Sequence, residues 1–562
     1  MTDGDELTAG AGPAAGGALR RVATVASAAT VLAAFFFAGT TDGPPARAAA
    51  AALQLVPPVA GRQAVEPCTG TRVVTVTPTT NIQTEVNRAE NARATFCFEP
   101  GVYRHVTISP KAGQRFIGKP GQPGVVLTGA SELTGWKYTD EKNGPWWVEG
   151  QRQNPTGNVG WDGACQIDRP MCRQPEELFV NNVVQRPVSS LARLEPGTWF
   201  FDHAAARIYV GSSPLPKDPQ SQPPTIETSI TREAFTTDRN NPQANVEIAN
   251  MLVEKYASIG HLPTIGGQYP SPGWVVRNME VRLNHGGGIN LNGGRAYRNY
   301  VHHNGHQGIT GTGTGTDVDS NEIAYNNTAG YAFDNEGGAG KFSNTVGLKY
   351  RNNYVHDNHG MGAWTDINNR DTLYENNIVD DNDGAGIMHE ISFSATIRNN
   401  LLRGNGRRWS QGGIFISTSS DVTVTGNTVV VGPTSGLANS IEPVGRMGIL
   451  ILHERRTGTP YCPGGVCVSR NNTVENNTVE YTARLRYLGG GQGFSGSGIM
   501  KNPTDTTPSN NVFRGNTYVM PDCREARWFW VDAQNTSSRD TFAQWQAHGN
   551  DTTGTCRSTA TA

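Results

Sequence analysis

An asparagine recurs through the middle of this chain. Each time it follows a polar or small residue and precedes an apolar-rich pair: RNME, RNYV, SNEI, NNYV, NNIV, NNLL, GNTV, NNTV, GNTY. It stands at Asn278, Asn299, Asn321, Asn353, Asn377, Asn400, Asn427, Asn477 and Asn516, with first intervals of 21, 22, 32, 24, 23 and 27 residues. In several copies a second asparagine follows five residues on, at Asn304, Asn326, Asn358, Asn382 and Asn405, and then a glycine-led alternating run such as GINL, GYAF, GAWT, GIMH or GIFI. A period of 21–24 residues made of short strands and polar turns suits one coil of a parallel β-helix, in which each repeat buries its apolar side only by stacking on the next. The recurrent asparagine suits an internal ladder, each amide bonding to the copy one coil away. The N-x-[ST] matches at Asn326, Asn471 and Asn476 are then by-products of the ladder. Leucine-rich repeats share the period but require leucines that are absent here. The intervals of 32, 27 and 50 mark coils carrying inserted loops.

The expected fold class is therefore all-β: a right-handed parallel β-helix with an N-terminal cap helix and an inserted antiparallel side lobe. Composition agrees, with 67 glycines and only 17% charged residues. TNIQTEVNRAENAR, residues 80–93, reads as an amphipathic helix over the open first coil, and RDTFAQWQAHGND as a closing helix. LFVNNVVQRPVSSLARLEPGTWFFDHAAARIYVG reads as antiparallel hairpins. The expected organisation is a leader over 1–48, a β-helix domain over 65–550 with its side lobe at about 145–225, and a tail over 551–562.

The leader reading rests on Arg20-Arg21, the apolar run VATVASAATVLAAFFFAG and the small-x-small motif Ala46-Arg47-Ala48. An uncleaved anchor is the rival, since about 18 apolar residues is the lower limit for a membrane span. An even number of cysteines in an exported chain reads as disulfides. The sequence-local couples predict Cys68–Cys97, Cys165–Cys172, Cys462–Cys467 and Cys523–Cys556, with zinc the rival at Cys462 and Cys467. Export implies an extracellular protein, free of the membrane once the leader is removed, and we expect a monomer. The formal net charge of −2 leaves no electrostatic footprint for a nucleic-acid partner.

Acids recur in register with the asparagines. Asn321 to Asp334, Asn353 to Asp366 and Asn377 to Glu390 are each 13 residues. Strand alternation turns Ile387 and His389 inward and Met388 and Glu390 outward. It likewise turns Ala363 and Thr365 inward, and Trp364, Asp366 and Asn368 outward. In the preceding copy Tyr331 and Phe333 face in, and Asp334 and Glu336 face out. The expectation is a column of Asp334, Asp366 and Glu390 on one outer face, with adjacent members about 4.7–4.9 Å apart. Like charges so close raise at least one pKa, which suits general acid chemistry beside an ionised partner. Such a column also suits a cation such as Ca²⁺, although no cofactor is required.

Other candidates are ordered around that column. Trp364 is read as a sugar-stacking platform, Arg408 and Trp409 as a cleft wall, and His453 and Glu454 as an extension of the site by one coil. His389 is read as a core histidine, and His302, His303, His306, His356 and His359 as solvated turn residues.

GAWTDINN and GIMHEISFSATIRNN resemble motifs of β-helical glycoside hydrolases, in particular the β-xylosidase type of glycoside hydrolase family 120 and related families. Those carry a Trp-x-Asp strand followed one coil later by a Glu-[IV]-Ser strand. The resemblance implies that Asp366 is the nucleophile and Glu390 the acid/base, and it assigns Asp334 no role. The implied protein is a secreted hydrolase of a poly- or oligosaccharide. One-coil spacing of Asp366 and Glu390 matches the separation of about 5–5.5 Å in retaining enzymes, whereas Asp334 and Glu390, two coils apart, fall near the inverting limit. A Ca²⁺-dependent polysaccharide lyase is one rival. The lack of a basic residue in the column disfavours it. A non-catalytic carbohydrate-binding β-helix is the other.

Overall fold

The computed structural model describes residues 55–58, 61, 67–122, 124–138, 144–153, 163–213, 223–333, 335–408, 412–432, 447–453, 455–457, 459–482, 485–486, 492–495, 498–501, 509–531 and 537–559. The expected leader lies outside them. Among them, no helix is long and apolar enough to cross a membrane.

Alternating residues such as Val-x-Val and Ile-x-Ile cannot hide their apolar side within one short strand. They hide it by stacking. Each coil contributes three strands, and each strand pairs in parallel with its counterpart in the next coil. One coil holds Ala363–Asp366, Arg370–Glu375 and Ile378–Asp380, and the next holds Ile387–Glu390, Phe393–Arg398 and Leu401–Arg403. They match residue for residue, with Ala363 opposite Ile387, Leu373 opposite Thr396 and Ile378 opposite Leu401. The result is a parallel β-helix, wound in the right-handed sense that parallel crossovers take. Its interior is a continuous column of apolar side chains, among them Ala363, Ile387, Ile414 and Ile449.

The ladder is present. Asn299 Nδ2 donates to Asn321 Oδ1 at 2.9 Å, and the chain of amides continues through Asn353, Asn377, Asn400, Asn427, Asn477 and Asn516. Each Oδ1 also accepts the backbone N–H of the preceding rung, as Asn377 does from Asn353 and Asn400 from Asn377. Asp551 Oδ1 closes the series by accepting from Asn516 at 2.8 Å. A second, parallel ladder joins Asn284, Asn304, Asn326, Asn358, Asn382 and Asn405. The Asn-Asn pairs divide their work. In Asn376-Asn377 and Asn399-Asn400 the first residue takes a left-handed turn, at φ 55° in both, and the second is the rung. Asparagine tolerates that backbone better than most residues.

Three expectations change. Asn278 is one residue out of register: Met279 occupies that rung, its N–H donating to Asn299 Oδ1. Asn471 and Asn476 are left-handed turn residues ahead of the rungs Asn472 and Asn477. The strand Thr555–Ser558 pairs with Thr517–Met520, so the sheet formed by the third strand of each coil continues into the expected tail.

The ends and the lobe follow the sequence. Helix Ile82–Asn87 is capped by the Asn81 side chain, and helix Phe542–Ala547 by a capping box from Thr541 and Gln544. The lobe is an eight-stranded sheet from Ala130–Glu132 to Ile226–Ser229 with its own core around Trp146, Trp199 and Ile208. All four cysteine couples are disulfide-bonded as paired by proximity, which accords with an extracellular protein.

Replacing Asn377 by Leu removes the acceptor of Asn353 and the donor to Asn400 and to the Tyr350 carbonyl. Each buried group left unsatisfied costs roughly 1–3 kcal/mol. The urea midpoint is expected to fall, and an unchanged midpoint would contradict the ladder's energetic role.

Candidate active site

Asp366 and Glu390 are paired neighbours, each the last residue of its strand. Each is followed by a residue in left-handed backbone, Ile367 at φ 68° and Ile391 at φ 45°. The turn beneath them is held by its own small polar ladder, in which Asn369 receives a hydrogen bond from Thr345 and donates to Ser392. Ser392 and Ser419 continue it. The carboxylates thus project outward from the rigid edge of a sheet, one coil apart.

The sequence misplaced the third acid. The strand that pairs with Ala363–Asp366 from the preceding coil is Lys341–Val346, with Lys341 opposite Trp364 and Phe342 opposite Thr365. The loop inserted in this coil therefore precedes the strand instead of following it. Asp334 itself lies outside the described residues, but its stretch is not the in-register strand: Tyr331 bridges Cys165 of the lobe instead. Gly340 permits the actual register. A Cβ there would stand 1.7 Å from the Ile309 carbonyl oxygen, and its φ is 150°.

This strand brings a lysine, rather than a third acid, beside the pair, opposite Trp364 and two residues ahead of the position expected for the acid. Lys341 Nζ lies 2.7 Å from Asp366 Oδ2, 3.2 Å from Glu336 Oε1 and 4.6 Å from the centre of the Trp364 ring. Burial opposes its charge, but Asp366 and Glu336 outweigh burial and raise its pKa, so it is a cation. Glu336 Oε2 meets His261 Nδ1 at 2.5 Å. Burial, with Lys341 nearby, lowers His261 to about 4. Glu390 has its own cation, Arg456, at 2.7 Å. Arg456 comes from the hairpin Arg455–Thr457 and Val466–Val468, closed by Cys462–Cys467 and packed on Ile391 and Phe393. Tyr461 of that hairpin has its pKa raised by burial and then by Asp366.

Asp366 is 3% exposed and Glu390 9%. Oδ2 of Asp366 is engaged by Lys341, while its Oδ1 is buried without a hydrogen-bond partner. A buried acceptor without a donor is costly in a folded protein and marks a place where a ligand can bind.

The remaining candidates separate. Trp364 faces outward as expected but is 3% exposed, packed with Met361 and Met388, so it offers no open stacking face. Its Nε1 also lacks a partner. Glu336 joins the site through Lys341. Asn368 instead turns to Asn344 and Arg370. Arg408 donates to Gln166 of the lobe at 3.1 Å and lies over the Phe333 ring. Trp409, Glu454 and the His453 side chain lie outside the description. His389 is a core residue, hydrogen-bonded to Thr365 at 2.7 Å and lowered by burial to about 3. His302, His306 and His356 are buried against tyrosines rather than solvated.

Lys341, Arg456, Tyr461 and His261 were missed. Lys341 opens a strand with no glycine-led apolar run to mark it, and Arg456 arrives on an insertion. Among the described residues no group of three or more His, Cys, Asp or Glu could hold a metal ion.

Comparison with known proteins agrees on the architecture. Residues 267–429, which contain both acids, match the model of the right-handed beta helix region. No curated protein matches the chain. Among solved structures, XylC in complex with xylose is 12% identical with a TM-score of 0.52, over 78% of this chain and 79% of that one. A glycoside hydrolase is 10% identical with a TM-score of 0.45, over 79% and 96%. The A-module of the mannuronan C-5 epimerase AlgE6 of Azotobacter vinelandii is 14% identical with a TM-score of 0.42, over 78% and 88%. At these identities the resemblance is one of fold, the right-handed parallel β-helix.

Replacing Lys341 by Met leaves the carboxylates of Asp366 and Glu336 without the cation they share. Breaking a buried pair costs about 3–5 kcal/mol. Thermal unfolding at neutral pH is expected to show a clear loss of stability, and an unaltered Tm would show that the lysine does not hold the site together.

Proposed function

We propose that the protein is a secreted glycoside hydrolase acting on a poly- or oligosaccharide, with Asp366 and Glu390 as its catalytic pair. The observation that carries this reading is their direct pairing on adjacent strands, together with the unpartnered Oδ1 of Asp366. Paired strands lie about 4.7–4.9 Å apart, close to the carboxyl separation of retaining glycosidases and too close for an intervening water. XylC, the neighbour of similar fold, is described in complex with xylose.

In this reading Lys341 pairs with Oδ2 of Asp366 and fixes its orientation, leaving Oδ1 to attack the anomeric carbon. Glu390 gives its proton to the leaving oxygen, then takes one from water as the glycosyl-Asp366 ester is cleaved. Arg456 stabilises the carboxylate form needed in the second step. The acid form needed in the first requires the hairpin to release Glu390 when substrate enters. This reading gives Asp334 no part in the chemistry.

Glu390→Gln is expected to fold as the parent does and to lose turnover by a factor on the order of 10²–10⁴, the usual contribution of a general acid. A screen of aryl glycosides and plant or microbial polysaccharides supplies the substrate. Sugar binding without turnover by the parent protein would leave only a binding role.

Stereochemistry gives a separate test. Proton NMR of the first-formed sugar is expected to show the anomeric configuration of the substrate, because attack at Asp366 inverts once and hydrolysis inverts again. A product of opposite configuration would remove Asp366 from the nucleophile's role.

The two cations favour a second reading. Lys341 and Arg456 supply the basic groups beside the acids whose apparent absence counted against a polysaccharide lyase. Elimination from a uronate would yield an unsaturated product that absorbs in the ultraviolet. Such a product from a uronate polymer, with no reducing sugar from neutral glycosides, would replace the hydrolase assignment.

A further inference from the structure

A cavity of about 430 Å³ lies apart from the acid pair, between the side lobe and the coils. Three separately folded pieces meet there: lobe residues 184–189, the loop closed by Cys165–Cys172, and Thr328 and Ala329 of the inserted loop. Its floor is a buried polar chain. His285 Nδ1 donates to Glu177 Oε1 at 2.8 Å, and His285 Nε2 accepts from the Tyr331 hydroxyl at 3.2 Å. Tyr331 is itself fixed on both sides of its peptide by the Asn327 side chain and from the lobe by Gln166. A rigid floor of this kind serves recognition better than exposed loop side chains do.

Three arginines reach the mouth, and their states differ. Arg186 is bound to Glu195. Arg169 is placed by Gly330, where a Cβ would stand 2.3 Å from its Cγ, yet its nearest acid, Asp168, is 4.0 Å away and beyond hydrogen-bond reach. Arg193 has no acid within 4.0 Å among the described residues. Two guanidiniums therefore keep their donors over a cavity whose floor offers an acceptor, the Glu177 carboxylate, and whose sides include Met171 and Val188. A guanidinium fork matches a carboxylate geometrically, an acidic floor matches hydroxyls, and an apolar side matches the C–H face of a pyranose. A neutral sugar would leave the two forks unused.

We propose that this cavity is a binding site for a uronic acid residue of a glycan. The carboxylate lies between Arg169 and Arg193, and a ring hydroxyl donates to Glu177. The site is independent of the hydrolase reading, since it involves neither Asp366 nor Glu390.

The test is direct binding, read by saturation-transfer NMR and calorimetry, with D-glucuronate and D-galacturonate as probes. D-glucose, D-galactose and inorganic sulfate serve as comparators. At least one uronate is expected to bind about tenfold more tightly than its neutral counterpart, a difference of about 1.4 kcal/mol. The Arg169→Ala/Arg193→Ala variant is expected to lose that preference, and Arg193→Lys to weaken it, because an ammonium lacks the fork. Both arginines are substantially exposed, so an unchanged Tm verifies folding. Asp366→Asn is expected to abolish turnover under the hydrolase reading and to leave this binding intact, which separates failure of one idea from failure of the other. Equal affinity for neutral sugars, no measurable binding, sulfate binding as tightly as the uronates, or a preference that survives the double arginine variant would each overturn the proposal.

Discussion

The whole molecule depends on one repeated contact: the side-chain amide of an asparagine in one coil meeting the amide and backbone N–H of the next. A parallel β-helix has no hairpins to set its register, so something must stop neighbouring strands from slipping. A slip of one residue would exchange every inward side chain for an outward one. The ladder prevents this because Asn377 can satisfy Asn353 and Asn400 at once only in a single register. Preceding each rung, a left-handed residue turns the chain sharply enough to bring the rung inside. Two such ladders run side by side, and they make the coil spacing uniform enough for chemistry to rest on it.

That uniformity sets the problem at Asp366 and Glu390. Two carboxylates on paired strands repel each other, and an isolated pair would be resolved by a shared proton. Here the charge is balanced from outside the repeat. Lys341 approaches from the preceding coil and Arg456 from a hairpin that interrupts a later one. Each acid has its own cation, so the repulsion within the pair is offset from outside it. The rigid coils set the spacing of the acids, and the less regular segments set their charge.

The loops that break the repeat also join the lobe to the helix. Tyr331, in the inserted stretch, receives Gln166 from the lobe, hydrogen-bonds His285 from the coils and packs against His306. From His306 the contacts pass to His261 and on to Glu336 and Lys341. The irregular interval of 32 residues is thus the point at which lobe, helix and candidate site are tied together.

Periodicity was legible in the sequence because it is local. The coil length, the rungs, the inward turn of His389, the outward turn of Trp364, Asp366 and Glu390, the cap helices and all four cysteine couples follow from spacing and alternation alone. At the candidate site, the expectation failed where a loop hid the phase of the repeat. Asp334 shares the spacing of 13 from its asparagine, but an insertion can lie before or after a strand, and one sequence cannot say which. Packing decided it: Lys341–Val346 has a glycine ahead of it that fits against Ile309 and a Phe342 that fills the core, so that strand took the place. The exposure of Trp364, the cations beside the acids and the lobe cavity were likewise decided by tertiary structure. Each depends on segments far apart in the chain, and local spacing carries no information about which distant side chain will arrive.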